Sequence, residues 1–160
     1  MSNDFLLKNL LENHPDDIFF KDMECRFLRI TPNMAKRLHL GSAEEALGKT
    51  DFDFLTPERA ARTFEEEQEI MRTGVPVTGV EKQETEPEGT CAWVTTAKFP
   101  LRDNDGKIVG VFGISRDITA KKQVEIAFEK ALQAAESVSP AKKQLRFTNG
   151  AAGFRLPRAA

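Results

Sequence analysis

Ala92–Thr119 reads AWVTTAKFPLRDNDGKIVGVFGISRDIT, and its punctuation decides how the rest of the chain folds. β-Branched and aromatic residues dominate two runs on either side of Asn104-Asp105-Gly106, a turn signal that joins adjacent antiparallel strands. A second turn signal, EPEG at Glu86–Gly89, separates this hairpin from the β-like run VPVTGVEKQET that begins at Val75. Three consecutive strands of an antiparallel meander are expected. The last run stops at Asp117-Ile118-Thr119, and AKKQVEIAFEKALQAAE follows as a helix. Asp117 or Thr119 can serve as the junction, because a side-chain oxygen at an N-cap accepts hydrogen bonds from the first free N–H groups of a helix.

Working back toward the N-terminus, DIFFKDM and RFLRIT are two short β-like runs separated by Glu24-Cys25, which predicts a hairpin. PNMAKRLHL then reads as a helix, with Pro32 suited to its start and Gly41 to its stop. Ser42 and Glu45 have the spacing of a capping box for a short turn of helix through Leu47, closed by Gly48. Thr56-Pro57-Glu58 opens the longest helix of the domain, with Phe64, Ile70 and Met71 as its apolar members and Gly74 as its end. At the N-terminus NDFLLKNLLEN sets Phe5, Leu6, Leu7, Leu10 and Leu11 along one side of a short helix. A strand pair, a helical excursion and three more strands make an α+β fold: a five-stranded antiparallel sheet covered by helices on one face, with a helix flanking it at each end. The expected organisation is an amphipathic helix at 1–13, a domain at 14–119, a coiled-coil-like helix at 120–138 and a basic, disordered tail at 139–160.

One domain suits 160 residues. No apolar run approaches the length of a membrane span, and the N-terminus is acidic and amphipathic rather than basic and apolar, so neither a span nor a signal peptide is expected. Cys25 and Cys91 form no C-x-x-C pair or disulfide framework and read as reduced thiols, which points to a cytoplasmic location. Every acidic residue lies at or before Glu136, so the first 138 residues carry a net charge of -7 and the remainder +5. Those last cations are interspersed with Pro, Gly and Ala, which argues against a nucleic-acid-binding arm.

The order of elements and several stretches resemble the PAS domain, a sensory module of bacterial and eukaryotic signalling proteins such as sensor kinases. ALGKTDFDFLTPE, Ala46 to Glu58, is similar to the loop and short helix that precede the family's long connecting helix. Ala92–Thr119 resembles its last two strands, and Asp117-Ile118-Thr119 the tripeptide with which many PAS domains hand over to an output helix. The resemblance covers roughly residues 8 to 136. It implies a module of two-component or related signal transduction that binds a small ligand or partner and relays the change through its C-terminal helix to an effector domain such as a kinase.

In that C-terminal helix Lys121, Val124, Phe128, Ala131, Ala135 and Val138 recur at spacings of three and four, a short coiled-coil-like seam. Two readings stand: a dimeric signalling helix, or a helix packed on its own domain. A homodimer would use Leu7 and Leu10 together with Val124, Phe128 and Ala131. By comparison with the family's flavin-binding members, Val94, Thr96 and Lys98 face the helices, with Val111, Gly113 and Ser115 beside them, and these six residues are the expected ligand pocket. Gly113 and Ser115 are small and are expected to leave space there. Trp93, Thr95, Ala97 and Phe99 lie on the opposite face.

Lys98 needs a partner if it is buried, and Asp51, Asp53, Glu81 and Glu84 are the carboxylates the resemblance brings near. It either forms a structural ion pair with them or binds a small anionic or polar metabolite. The cofactor stays unknown, with two types disfavoured. GKTDFDFL at Gly48–Leu55 places Asp51 where light-sensing flavin PAS domains carry their reactive cysteine, and residues 57–73 contain no histidine to ligate haem. His14 and His39 read as surface or packing residues, and no set of residues has zinc-like spacing. Phe64–Glu69, FEEEQE, reads as a solvated helix face rather than an acid/base pair. Without a phosphoacceptor histidine after Thr119 or a Gly-rich phosphate loop, the chain is not expected to be an enzyme. The alternatives are a ligand-free homodimerisation module and, further off, a small-molecule enzyme with Lys98 and Asp51 as a catalytic pair.

Overall fold

The computed structural model of the chain describes residues 2–85 and 89–150, with side chains through Val138. Helix α1 spans Asn3–Asn13, and the first hairpin pairs β1, Asp17–Asp22, with β2, Phe27–Ile30. The helical excursion holds α2, Pro32–Arg37, two 3₁₀ turns at Ala43–Ala46 and Asp51–Asp53, and α3, Pro57–Thr73. Strands β3, Val77–Thr85, β4, Cys91–Arg102, and β5, Ile108–Asp117, follow, and α4 runs over Thr119–Gly150. All five strands join one antiparallel sheet in the order β2-β1-β5-β4-β3, the α+β architecture expected from the sequence. Because β5 pairs with both β1 and β4, the two hairpins meet at its centre.

Local chemistry explains most boundaries. Thr31 caps α2 by accepting from the Met34 N–H, and Pro32 fills the first helical position, where its missing N–H is not needed. That helix ends at Arg37, short of the expected Gly41. His39 adopts a left-handed conformation with φ 57°. The Ser42–Glu45 capping box does not form, since Ser42 makes no cap hydrogen bond to the turn that follows. A reciprocal contact occurs instead eight residues on, where Asp53 Oδ2 accepts from the Thr50 N–H at 2.7 Å. Gly74 ends α3 in the left-handed conformation that only glycine adopts without penalty, with φ 69°. Of the two turns read from the sequence, Asn104–Gly106 closes through a Gly106 N–H to Asp103 carbonyl bond of 3.0 Å, and 86–88 lie outside the described residues.

Two apolar clusters form between the sheet and the excursion. One gathers Phe19, Phe27, Ile30, Met34, Ala35 and Ala46, and the other Cys25, Ile70, Met71 and Val111. On the other face of the sheet Phe20, Phe112 and Phe99 stack in a ladder, with ring centroids 5.7 and 5.3 Å apart. Residues up to Thr119 form one compact unit and those from Ala120 a second. At their junction Thr119 N–H donates to Asp117 Oδ1 at 2.7 Å, and Thr119 Oγ1 accepts from the Trp93 N–H at 2.9 Å. Ile118 is buried between them and donates its N–H to the Trp93 carbonyl. The helix continues past residue 138 to Gly150, so the first part of the expected disordered tail is helical, and 151–160 lie outside the described residues.

Candidate functional site

Alternation along β4 turns Val94, Thr96 and Lys98 inward, each buried, while Trp93, Thr95, Ala97 and Phe99 alternate with them at partial exposure. On β5 Val111 and Gly113 are buried and Ser115 is half-buried beside them. Thr96 and Ser115 are cross-strand partners, and their hydroxyls lie 3.0 Å apart. These six residues share one face but not one cavity. Thr96, Lys98 and Ser115 line a cavity of about 90 Å³, whereas Val111 belongs to the cluster around Cys25. Gly113 leaves no space, contrary to expectation: a Cβ there would lie 2.4 Å from Phe19 Cζ, because that ring already fills the gap.

Lys21, Glu66 and Glu67, which are not among the expected site residues, join Asp51 and Lys98 in the ion pairs of the cavity floor. Lys21 follows Phe19 by two residues on β1, so it points the same way and is only 1% exposed. Its ammonium lies 2.5 Å from Asp51 Oδ2 and 2.9 Å from both oxygens of Glu67, with the rings of Phe19 and Phe27 at 4.9 and 4.6 Å. Glu67, fully buried, also faces Lys98 Nζ at 3.3 Å, and Glu66 approaches that nitrogen at 2.8 Å. The result is a chain of alternating charge: Asp51, Lys21, Glu67, Lys98, Glu66. Burial opposes the charge on Lys98, but the Glu67 and Glu66 carboxylates outweigh it and hold the ammonium above its usual pKa.

Two expectations are corrected here. Phe64–Glu69 is not wholly a solvated helix face. In α3 the buried stripe runs Ala60, Glu67, Ile70 and Met71, and spacings of three and four from Ile70 and Met71 place Glu67 on it. The partners of Lys98 are Glu66 and Glu67, not Asp51, Asp53, Glu81 or Glu84. Asp51 serves Lys21, Asp53 is exposed and caps its own turn, and Glu81 is exposed on β3 opposite Thr95.

Glu84 organises the rim. Arg37 Nη1 and Lys82 Nζ each lie 3.3 Å from it, and Arg59 Nη2 hydrogen-bonds its Oε2. Burial raises the pKa of this carboxyl, yet Arg59, Lys82 and Arg37 together bring it below the ordinary glutamate value. Arg37 also reaches Asp17, with Nε 2.6 Å from Oδ2. Around the cavity Lys21, Arg37, Arg59, Lys82 and Lys98 face Asp51, Glu67 and Glu84, and Asp17 at Arg37 with Glu66 at Lys98 bring this ion-pair network to five cations and five carboxylates. The cavity volume is well below the ~300–1,000 Å³ of typical cofactor sites.

Cys25 touches this network without joining it. It is 2% exposed, and burial together with the Glu67 carboxylate pushes its thiol up to about 11. Cys91 is exposed at the start of β4. A thiol reagent such as DTNB at pH 8 should therefore modify one cysteine per native chain and two after unfolding. Equal rates at both sites would contradict this burial. Among the described residues no group of three His, Cys, Asp or Glu side chains could hold a metal ion, and no helix is long and apolar enough to cross a membrane.

With this geometry in view, a family model described as PAS fold matches residues 11–123. The chain belongs to the PAS family. Among curated relatives, the methanogenesis regulatory histidine kinase FilI of Methanothrix harundinacea is 32% identical over 77% of this chain. The aerobic respiration control sensor protein ArcB of Escherichia coli is 32% identical over 78%. The chain spans only 14% and 16% of these kinases. Among solved structures, the Vibrio cholerae VqmA dimer superposes with a TM-score of 0.66 at 26% identity, covering 73% of this chain and 52% of that one. The PAS domain of Bordetella pertussis BvgS superposes with a TM-score of 0.64 over 82% of this chain and 99% of its own, and at 22% identity it speaks for the fold alone. Both superpositions show a shared fold.

Proposed function

We propose that this PAS domain is a sensor module that takes a small anionic or polar ligand into the cavity between β4, β5 and α3, and passes the change to α4. The convergence of Arg37, Arg59 and Lys82 on the cavity rim carries this reading: such a set of charged N–H donors suits an anionic or polar group, and the small volume favours a compact one. Thr96 and Lys98 lie on the strand whose Trp93 N–H bonds to Thr119 Oγ1, so a shift of β4 bears directly on the first residue of α4. Such a shift follows only if the ligand prefers one arrangement of the strand. The VqmA structure with DPO bound, at 26% identity and a TM-score of 0.64, supports small-molecule binding in this type of fold.

The kinase relatives support a place in a two-component signalling protein, with the output in an effector domain such as a kinase and no catalysis by this chain itself. A cytoplasmic setting agrees with two cysteines that form no disulfide. The acidic charge of the first 138 residues speaks against nucleic acid as a direct partner. Homodimerisation through Leu7, Leu10, Val124, Phe128 and Ala131 is supported by the exposure of these apolar side chains within their own units.

Native mass spectrometry of gently purified protein tests the ligand. A small non-covalent mass lost on denaturation is the expected result. A clean apo dimer that no compound in a metabolite panel stabilises against heat would overturn this reading in favour of a ligand-free dimerisation module.

A further inference from the structure

The rim cluster around Glu84 separates two spaces. Below it lies the 90 Å³ cavity, and above it a groove of about 700 Å³ runs between the start of α3 and β3. Phe54, Leu55, Arg59, Thr63, Lys82 and Glu84 line both, so the groove and the cavity share a wall in which Arg59 and Glu84 face each other. Three cations from three elements, Arg37 at the end of α2, Arg59 in α3 and Lys82 in β3, converge on this one carboxylate. Guanidinium groups match the planar, two-oxygen geometry of a carboxylate better than any other common side chain does.

We propose that this cluster is a carboxylate-binding clamp in its self-occupied state. Glu84 holds the place that the carboxylate of a small organic acid takes when bound, and its displacement joins the groove to the cavity. The inference rests on the sensor reading above and names the ligand class for it. At the rim the exchange conserves charge: one carboxylate leaves Arg37, Arg59 and Lys82, another replaces it, and the Lys21–Glu67–Lys98 floor keeps its partners. An organic acid enters from the groove with its carboxylate at the rim, and its body fills the cavity that the closed clamp leaves small. An internal competitor lowers the apparent affinity by the fraction of chains in which the clamp is open. Removing the competitor's charge must therefore strengthen binding.

Isothermal titration calorimetry with succinate as the probe, succinamide as its uncharged counterpart and inorganic phosphate as a tetrahedral anion tests this. Glu84→Gln should bind succinate at least tenfold more tightly than the wild type does, should not bind succinamide, and should favour succinate over phosphate. Adding Arg59→Met to that background should abolish the gain. Equal succinate affinities in wild type and Glu84→Gln, no binding to Glu84→Gln, equal binding of phosphate, or a gain that survives Arg59→Met would each overturn the clamp. If Glu84→Gln does not fold, Glu84→Asp, which keeps the charge but draws it back by one methylene, carries the same expectation in smaller measure. A ligand released from the wild type in native mass spectrometry, beside a Glu84→Gln variant indifferent to succinate, would sink the clamp and leave the sensor reading standing.

Discussion

Lys21→Met should lose about 3–5 kcal/mol of stability, roughly 6–20 °C in Tm for a chain of this size. Lys21 is the partner of two carboxylates in the interior, Asp51 and Glu67, and its side chain is 1% exposed. Methionine fills much the same volume, so the expected loss is electrostatic rather than a cavity effect. Without the ammonium, Asp51 loses its Lys21 partner and only Lys98 remains to serve Glu67. The Glu67 carboxylate then keeps one of its two ammonium partners, at a cost to the folded state. Adding Glu67→Gln should restore part of the loss, with a coupling energy on the order of 1–3 kcal/mol in a double-mutant cycle. Urea unfolding of the four proteins measures both quantities. A Lys21→Met variant within about 1 kcal/mol of the wild type would show that the buried charges are not interdependent in this way.

Gly110→Ala should be at least as damaging, at about 3 kcal/mol or more, and should exceed Gly113→Ala at ~1–3 kcal/mol. Both glycines lie on β5 where it pairs with β1, and neither needs a positive φ. Their constraint is approach. A Cβ at Gly110 would sit 2.0 Å from the Lys21 carbonyl oxygen, which is backbone held in the sheet and cannot step aside. At Gly113 the nearest atom is the edge of the Phe19 ring, which can tilt at the expense of its contact with Phe27. Gly110→Ala therefore has to part β1 from β5, the junction of the two hairpins, and it shifts Lys21 as it does so. Thermal unfolding of the two variants ranks them, and a Gly110→Ala protein as stable as the wild type would mean that the strands separate there without cost.

Much of the site was within reach of sequence reasoning. The inward face of β4 and β5 follows from alternation, and Lys98 stands out because a lysine in that pattern needs a partner. The same rule applied to Asp17, Phe19 and Lys21 places Lys21 inward. Ile18 and Phe20 obscured it, because an unbroken apolar run reads as buried on both faces. Glu67 is legible in the same sense, by its spacing of three and four from Ile70 and Met71, but three consecutive glutamates hide the one that turns in. Which carboxylate meets which lysine was not legible. Asp51 and Glu67 approach Lys21 across 30 and 46 residues of chain, and no local pattern encodes that meeting.

The sequence by itself determined the element order, the meander after Val75, the hairpin before it and the handover at Asp117–Thr119, because turn residues, caps and side-chain periodicity act within a few positions of one another. Only the tertiary structure decided that Phe19 fills the gap beside Gly113, that Glu84 gathers Arg37, Arg59 and Lys82 into one cluster, and that the cavity is lined by paired charges. The physical reason is that burial and charge pairing depend on distances set by the whole sheet. A carboxylate far along the chain costs nothing in the unfolded state, and becomes the deciding neighbour of a buried ammonium once β1, β4 and α3 pack together.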